Sequence, residues 1–254
     1  TATVTPGRSF PVTGVLDNFN RANGGIGSGW GGQASGFGIA GQKLVVGDGG
    51  DVYWNGSAFG DNQEAYVTIG SFAAGAYYVG LALKAQSSAG VGDGLLEVDY
   101  HPDTGVAQVW SYTPGQDWVQ RGSDISVTFA AGDVFGAQAT AGGLAKVYKN
   151  GTLVGSVDVT AWPYYANGGY VGVVSEYASG TELDDSFALG ARARVGGGTV
   201  PSGFAPGRML AGLWREFTGW VETVFGAGKV VAAPVLAERP RAKSAIVAPP
   251  AGQV

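Results

Sequence analysis

The stretch Leu95-Leu96-Glu97-Val98-Asp99-Tyr100-His101 sets Glu97, Asp99 and His101 at alternate positions among apolar neighbours. In an extended strand, alternate residues project to one side, so the three would share a face, with Glu97 and His101 about 13 Å apart along it. Carboxyls on one face are the raw material for general acid and nucleophilic work on a glycosidic bond, whose retaining form needs two of them about 5 Å apart. The residues that follow weaken that reading. Pro102 has no proton to give and Asp103 falls one residue late, while His101 beside a proline at a turn suits a capping or solvent-facing role. The expectation is a polar strand face near a turn, no catalytic residue, and a chain that is not an enzyme.

Two other chemistries have candidates. Aromatic side chains that stack on sugars would come from Trp110, Tyr112, Trp118, Trp54 and Trp162, with Trp110 and Trp118 set around a Pro-Gly turn. An oxygen-rich calcium site would draw on Asp17, Asp184 and Asp185. Acidic residues are just as dense over Asp48–Asp51 and Asp93–Asp99 for no evident reason, so turn-forming aspartate is the default for all of them. With no cysteine and the single histidine His101, thiolate and multi-histidine metal sites are excluded.

The elements that must position these residues are short strands. The 254 residues include 46 glycines but only 14% charged residues, a turn-dense and weakly charged composition. A net charge of −5 gives no basic footprint for nucleic acid, and no apolar run reaches the length of a membrane span. From Val15 to about Leu189, β-forming runs alternate with glycine turns: Phe37–Gly47, Glu64–Phe72, Ala76–Ala85, Gly94–Pro102 and Gly105–Thr113. Asn150-Gly151, inside Leu144–Val159, is the sharpest hairpin signal.

Beyond residue 190 the texture changes. Residues 191–206 read as a glycine and proline linker. Residues 207–228 read as an amphipathic helix whose apolar face carries Leu210, Leu213, Trp214, Phe217, Val221 and Val224. Residues 229–254 are proline-rich and extended. A helix followed by a strap is a way to dock on other protein subunits, so residues 205–254 are expected to bind partners in an assembly. Residues 1–14 form an N-terminal arm.

The opening stretch carries a motif. Asp17, Phe19, Arg21, Gly24, Ile26, Gly27 and Trp30 resemble the Asp-x-Phe-x-Arg-x-x-Gly-x-[Leu/Ile]-Gly-x-x-Trp opening of concanavalin A-like, laminin-G and glucanase-type jelly-roll modules. The Gly168–Phe187 stretch and the Lys146–Val154 hairpin are similar to later parts of that pattern, with Ser186 as an extra residue. The resemblance spans about residues 15–190 and implies an all-β, two-sheet antiparallel sandwich with a concave face, with Phe19 and Trp30 as core plugs. It also raises the prospect of calcium where the end strands meet. In the glucanase branch, a Glu-x-Asp-x-x-Glu strand supplies the catalytic acids, a pattern that Pro102 breaks here. Modules that open this way resemble tail and fibre components of phage virions and bacterial surface proteins. The leading expectation is therefore a non-enzymatic virion subunit anchored through its C-terminal segment. A secreted or surface carbohydrate-binding module is the alternative, and a degenerate glucanase-like glycosidase stands third.

Overall fold

The computed structural model describes residues 10–191, with side chains as far as residue 183. The linker, helix and tail expected after residue 191, including Leu210, Leu213, Trp214, Phe217, Val221 and Val224, lie outside the described residues. The strands in the first half are β1 (Val15–Asp17), β2 (Gly24–Gly25), β3 (Trp30–Gly32), β4 (Phe37–Ala40), β5 (Lys43–Val46), β6 (Gly50–Trp54), β7 (Gln63–Ser71), β8 (Tyr78–Ala85) and β9 (Leu95–His101). They continue as β10 (Val106–Thr113), β11 (Asp117–Ser126), β12 (Val134–Ala139), β13 (Leu144–Lys149), β14 (Thr152–Asp158), β15 (Tyr170–Glu176) and β16 (Glu182–Ala191).

These strands make two antiparallel sheets. One has seven strands in the order β11-β10-β9-β8-β15-β6-β3. The other has nine, β14-β13-β12-β7-β16-β5-β4-β2, with β1 pairing on β16. The sandwich implied by the resemblance is present, and its first and last strands meet, Val15 opposite Ala188 and Asp17 opposite Phe187.

Alternation explains the layering. Along β10, Ala107 and Val109 face inward and are buried, whereas Gln108, Trp110 and Tyr112 project outward. Leu81, Leu83, Leu96 and Val98 of the seven-stranded sheet pack with Leu44, Val67, Ile69 and Phe135 of the other in one core. Burying each such side chain contributes about 1.5–3 kcal/mol. Phe19 and Trp30 lie in this core, their rings stacked at 5.9 Å. The Asn150-Gly151 hairpin forms between β13 and β14, both turn residues at positive φ as a type I′ turn requires. The run Phe37–Gly47, expected as one strand, is two: Gly41 and Gln42, both at positive φ, fold it into the β4–β5 hairpin.

A smaller cluster sits on the outer face of the nine-stranded sheet. Phe10 stacks on Tyr148 at 4.1 Å and meets Tyr66 edge-on, with Gly136 directly beneath it. Glu64 holds the residues that follow, accepting hydrogen bonds from the Val12 and Thr13 amides and the Thr13 hydroxyl.

Candidate functional site

The outer face of the seven-stranded sheet is built from strand register. One row crosses β6, β15, β8, β9 and β10 as Asp51, Val174, Gly80, Asp99 and Gln108. The next crosses β6, β15, β8, β9, β10 and β11 as Tyr53, Gly172, Ala82, Glu97, Trp110 and Gln120. Gly80 and Ala82 of β8 thus lie beside Asp99 and Glu97, with Gly172 of β15 beyond Ala82, and these small residues leave a trough in the sheet face. At Gly80 the space is already taken, because a Cβ there would stand 2.1 Å from Asp99 Oδ1. The result is a cleft of about 400 Å³. Its lining includes Asp51, Glu97, Asp99, His101 and Glu176, flanked by Tyr77 and Tyr78 and by Trp110 and Trp118.

β9 pairs with β10 without a bulge, so the series facing the cleft is Glu97, Asp99, His101, and Pro102 lies past the end of the strand. His101 does not sit in solvent as expected. It is 8% exposed, with the Tyr77 and Tyr78 rings 5.0 and 5.6 Å from its own.

The electrostatics are unusual for a structural sheet face. Glu97 and Asp99 are 2% and 4% exposed, yet Glu97 Oε1, Asp99 Oδ1, His101 Nε2 and the Tyr53 hydroxyl have no hydrogen-bond partner. Buried polar groups are nearly always paired, and exceptions call for a ligand, a water or a catalytic role. Burial pushes the Glu97 carboxyl well above the usual range, and the charges of Asp99, Asp51 and Glu176 add to the shift. Burial raises Asp99 likewise, helped by Asp51 and Glu176. Asp51 is pushed up to about 6 by burial and by Glu176. A carboxyl in such surroundings keeps its proton towards neutral pH and can donate as well as accept.

The aromatic candidates separate. Trp110 and Trp118 line the cleft: Trp110 Nε1 donates to Gln108 at 3.0 Å, and Trp118 is 38% exposed. Tyr112 is beside Trp118, with ring centroids 5.3 Å apart. Trp54 lies instead on the core side, its ring edge-on to Trp30 at 5.8 Å. Trp162 is fully buried, its Nε1 donating to the Tyr112 carbonyl. Asp51, Tyr77, Tyr78 and Glu176 escaped the sequence reading, although the unexplained acidic density around Asp48–Asp51 was their one visible sign.

Asp17, the describable member of the calcium candidates, has both oxygens engaged. Oδ1 accepts from the Phe19 amide and Arg21 Nη1, and Oδ2 from Arg21 Nη2 and Trp30 Nε1. The Asp184 and Asp185 side chains lie outside the described residues, among which no group of three or more acids and histidines is placed to hold a metal ion.

No family model and no curated protein matches the chain. Solved structures do. A β-agarase A in complex with oligoagarose aligns with a TM-score of 0.51 at 9% identity, over 68% of this chain and 89% of that one. The carbohydrate-binding module CBM66 from Bacillus subtilis aligns at 0.43 and 13% identity, over 66% and 95%. LamAcat from Zobellia galactanivorans aligns at 0.46 and 11%, over 69% and 97%. The agarase likeness shows a shared jelly-roll sandwich. These findings overturn two expectations. The structure whose architecture this chain shares is an agarase rather than a virion subunit, so neither the phage structural role nor the exclusion of enzymatic activity stands.

Proposed function

We propose that the chain binds a carbohydrate in the cleft of its seven-stranded sheet, as a secreted or surface-displayed glycan-recognising domain. One observation carries this reading: three residues that line the cleft, Glu97, Asp99 and His101, each keep a buried polar atom with no protein partner, Oε1, Oδ1 and Nε2. Sugar hydroxyls supply both donors and acceptors, which such a set requires, and the half-exposed faces of Trp110 and Trp118 offer the apolar surface on which a pyranose ring stacks. The oligoagarose named with the similar agarase is consistent with this class of ligand. The test is a glycan array followed by calorimetry on the hits. Wild type should bind, and Trp110→Ala and Trp118→Ala should each weaken binding by about tenfold or more, the effect of removing roughly 1.4 kcal/mol of contact. Unchanged affinity in both variants would place binding elsewhere.

Glycoside hydrolysis is the second reading, favoured by the two carboxyls at alternate positions of β9 with raised affinity for protons. With one acid of the pair protonated and the other ionised, Glu97 would give its proton to the glycosidic oxygen as the C–O bond breaks, while a water adds to the anomeric carbon and passes its proton to the Asp99 carboxylate. Oligosaccharides bound on the array should then be cleaved by wild type and left intact by Glu97→Gln, with binding retained.

A further inference from the structure

Resting on the carbohydrate reading, we infer that the glycan taken by this cleft bears a free amine, held as its ammonium against the carboxyls of the sheet. The lining of the cleft is one-sided in charge. Asp51 comes from β6, Glu97 and Asp99 from β9 and Glu176 from β15, and among the described residues no lysine or arginine joins them. The nearby cations are committed elsewhere. Arg121 Nε donates to Ser111 Oγ on the inward side of the sheet, and Lys84 Nζ donates to the Thr140 and Tyr165 carbonyls.

A protein rarely gathers four carboxyls around one trough without a countercharge, because burying unpaired charge is costly. The unpaired oxygens of Glu97 and Asp99 on the cleft floor identify where a countercharge is missing. An ammonium brings three donors and a positive charge, so one group answers both oxygens and lets the carboxyls give up the protons that burial and their mutual proximity otherwise hold on them. A neutral hydroxyl would satisfy hydrogen bonding without favouring the ionised acids. A sulfate or uronate would set a further negative charge beside them, which makes the same carboxyls a device against anionic glycans. The surrounding rings of Tyr77, Tyr78, Trp110 and Trp118 suit such a cation too, since an aromatic face attracts an ammonium while its breadth matches a sugar ring.

The experiment is calorimetry on the full chain at neutral pH with four probes: a β-1,4-linked glucosamine tetramer, its N-acetylated form, cellotetraose and an oligouronate. Spermidine serves as an amine without a sugar. The glucosamine tetramer should bind at least about tenfold more tightly than its N-acetylated and glucose counterparts, one good cation contact converted at 1.4 kcal/mol per decade. The oligouronate should not bind. Glu176→Gln, at an exposed strand end, should preserve folding and remove several-fold of that preference, read as the ratio of the affinities for the glucosamine tetramer and its N-acetylated form. Equal or tighter binding of the neutral or uronate oligomers overturns this inference and leaves carbohydrate recognition standing. Spermidine matching the glucosamine tetramer also overturns it, because the site would then read amines alone. If neither these saccharides nor a wider glycan array bind, the carbohydrate reading falls as well.

Discussion

Asp17 shows how much one carboxylate can organise. Its two oxygens gather the Phe19 amide, both terminal nitrogens of Arg21 and the Trp30 indole, and Arg21 in turn donates to the Ile26 carbonyl. Burial alone would raise the pKa of Asp17, but hydrogen bonds from Arg21, Trp30 and Phe19 outweigh it and hold the carboxyl below its ordinary value. The aspartate, arginine and tryptophan of the opening motif are thus one network that closes a glycine-rich loop over the core. Asp17→Ala should lower stability by about 2–4 kcal/mol, since it strands a partly buried guanidinium and an indole N–H, and urea unfolding would read the loss. A loss below about 1 kcal/mol would mean that the loop is held by its aromatic packing instead. The spacing of the motif is legible in the sequence, but the role of Asp17 is not, because an aspartate that ligates a cation and one that ligates an arginine look the same in one dimension.

At the level of strands, the cleft exists because β8 presents Gly80 and Ala82 beside the acids of β9. Gly80 is not needed for its backbone freedom. It is needed because a Cβ would meet Asp99 Oδ1 at 2.1 Å and Val174 Cγ2 at 2.6 Å. Gly80→Ala should push Asp99 out of place, cost about 1–3 kcal/mol of stability from overpacking, and weaken glycan binding more than a change of equal cost in the core. Parallel calorimetry and urea unfolding on Gly80→Ala and on a core variant would separate the two effects. The strands β7 to β10 and the β13–β14 hairpin can be read from β-forming runs and turn residues. The cleft cannot, because Asp51, Gly80, Asp99 and Gln108 are far apart in sequence and meet only through register. Alternation along β9 does show Glu97, Asp99 and His101 on one face, but not that this face lines a cleft, which β6, β8 and β15 complete. Lys84 is another residue hidden from sequence, a buried lysine pushed down to about 8 by loss of hydration.

For the molecule as a whole, the cleft makes stability depend on pH in an inverted sense. The folded state holds Asp51 at about 6, and Glu97 and Asp99 are raised as well, so all three bind protons more tightly folded than unfolded. Their contribution is complete below the ordinary carboxylate range and is lost as pH rises through the folded values. Asp17 works the other way, but only below its ordinary value. Melting temperature should therefore fall from pH 5 to pH 7, a range of about two units bracketing the Asp51 value, and the fall should shrink in Asp51→Asn and in Glu97→Gln. A flat wild-type profile would show that the acids are already hydrated or paired in solution. The architecture also decides how this domain can be joined to other things. Phe10 is clamped on the outer face of the nine-stranded sheet, and β1 enters that sheet beside the outgoing end of β16, Val15 opposite Ala188. Entry and exit are thus neighbours, and both belong to the layer opposite the cleft. Further chain can therefore be joined on the side of the nine-stranded sheet while the acidic trough of the other sheet stays open to the surroundings.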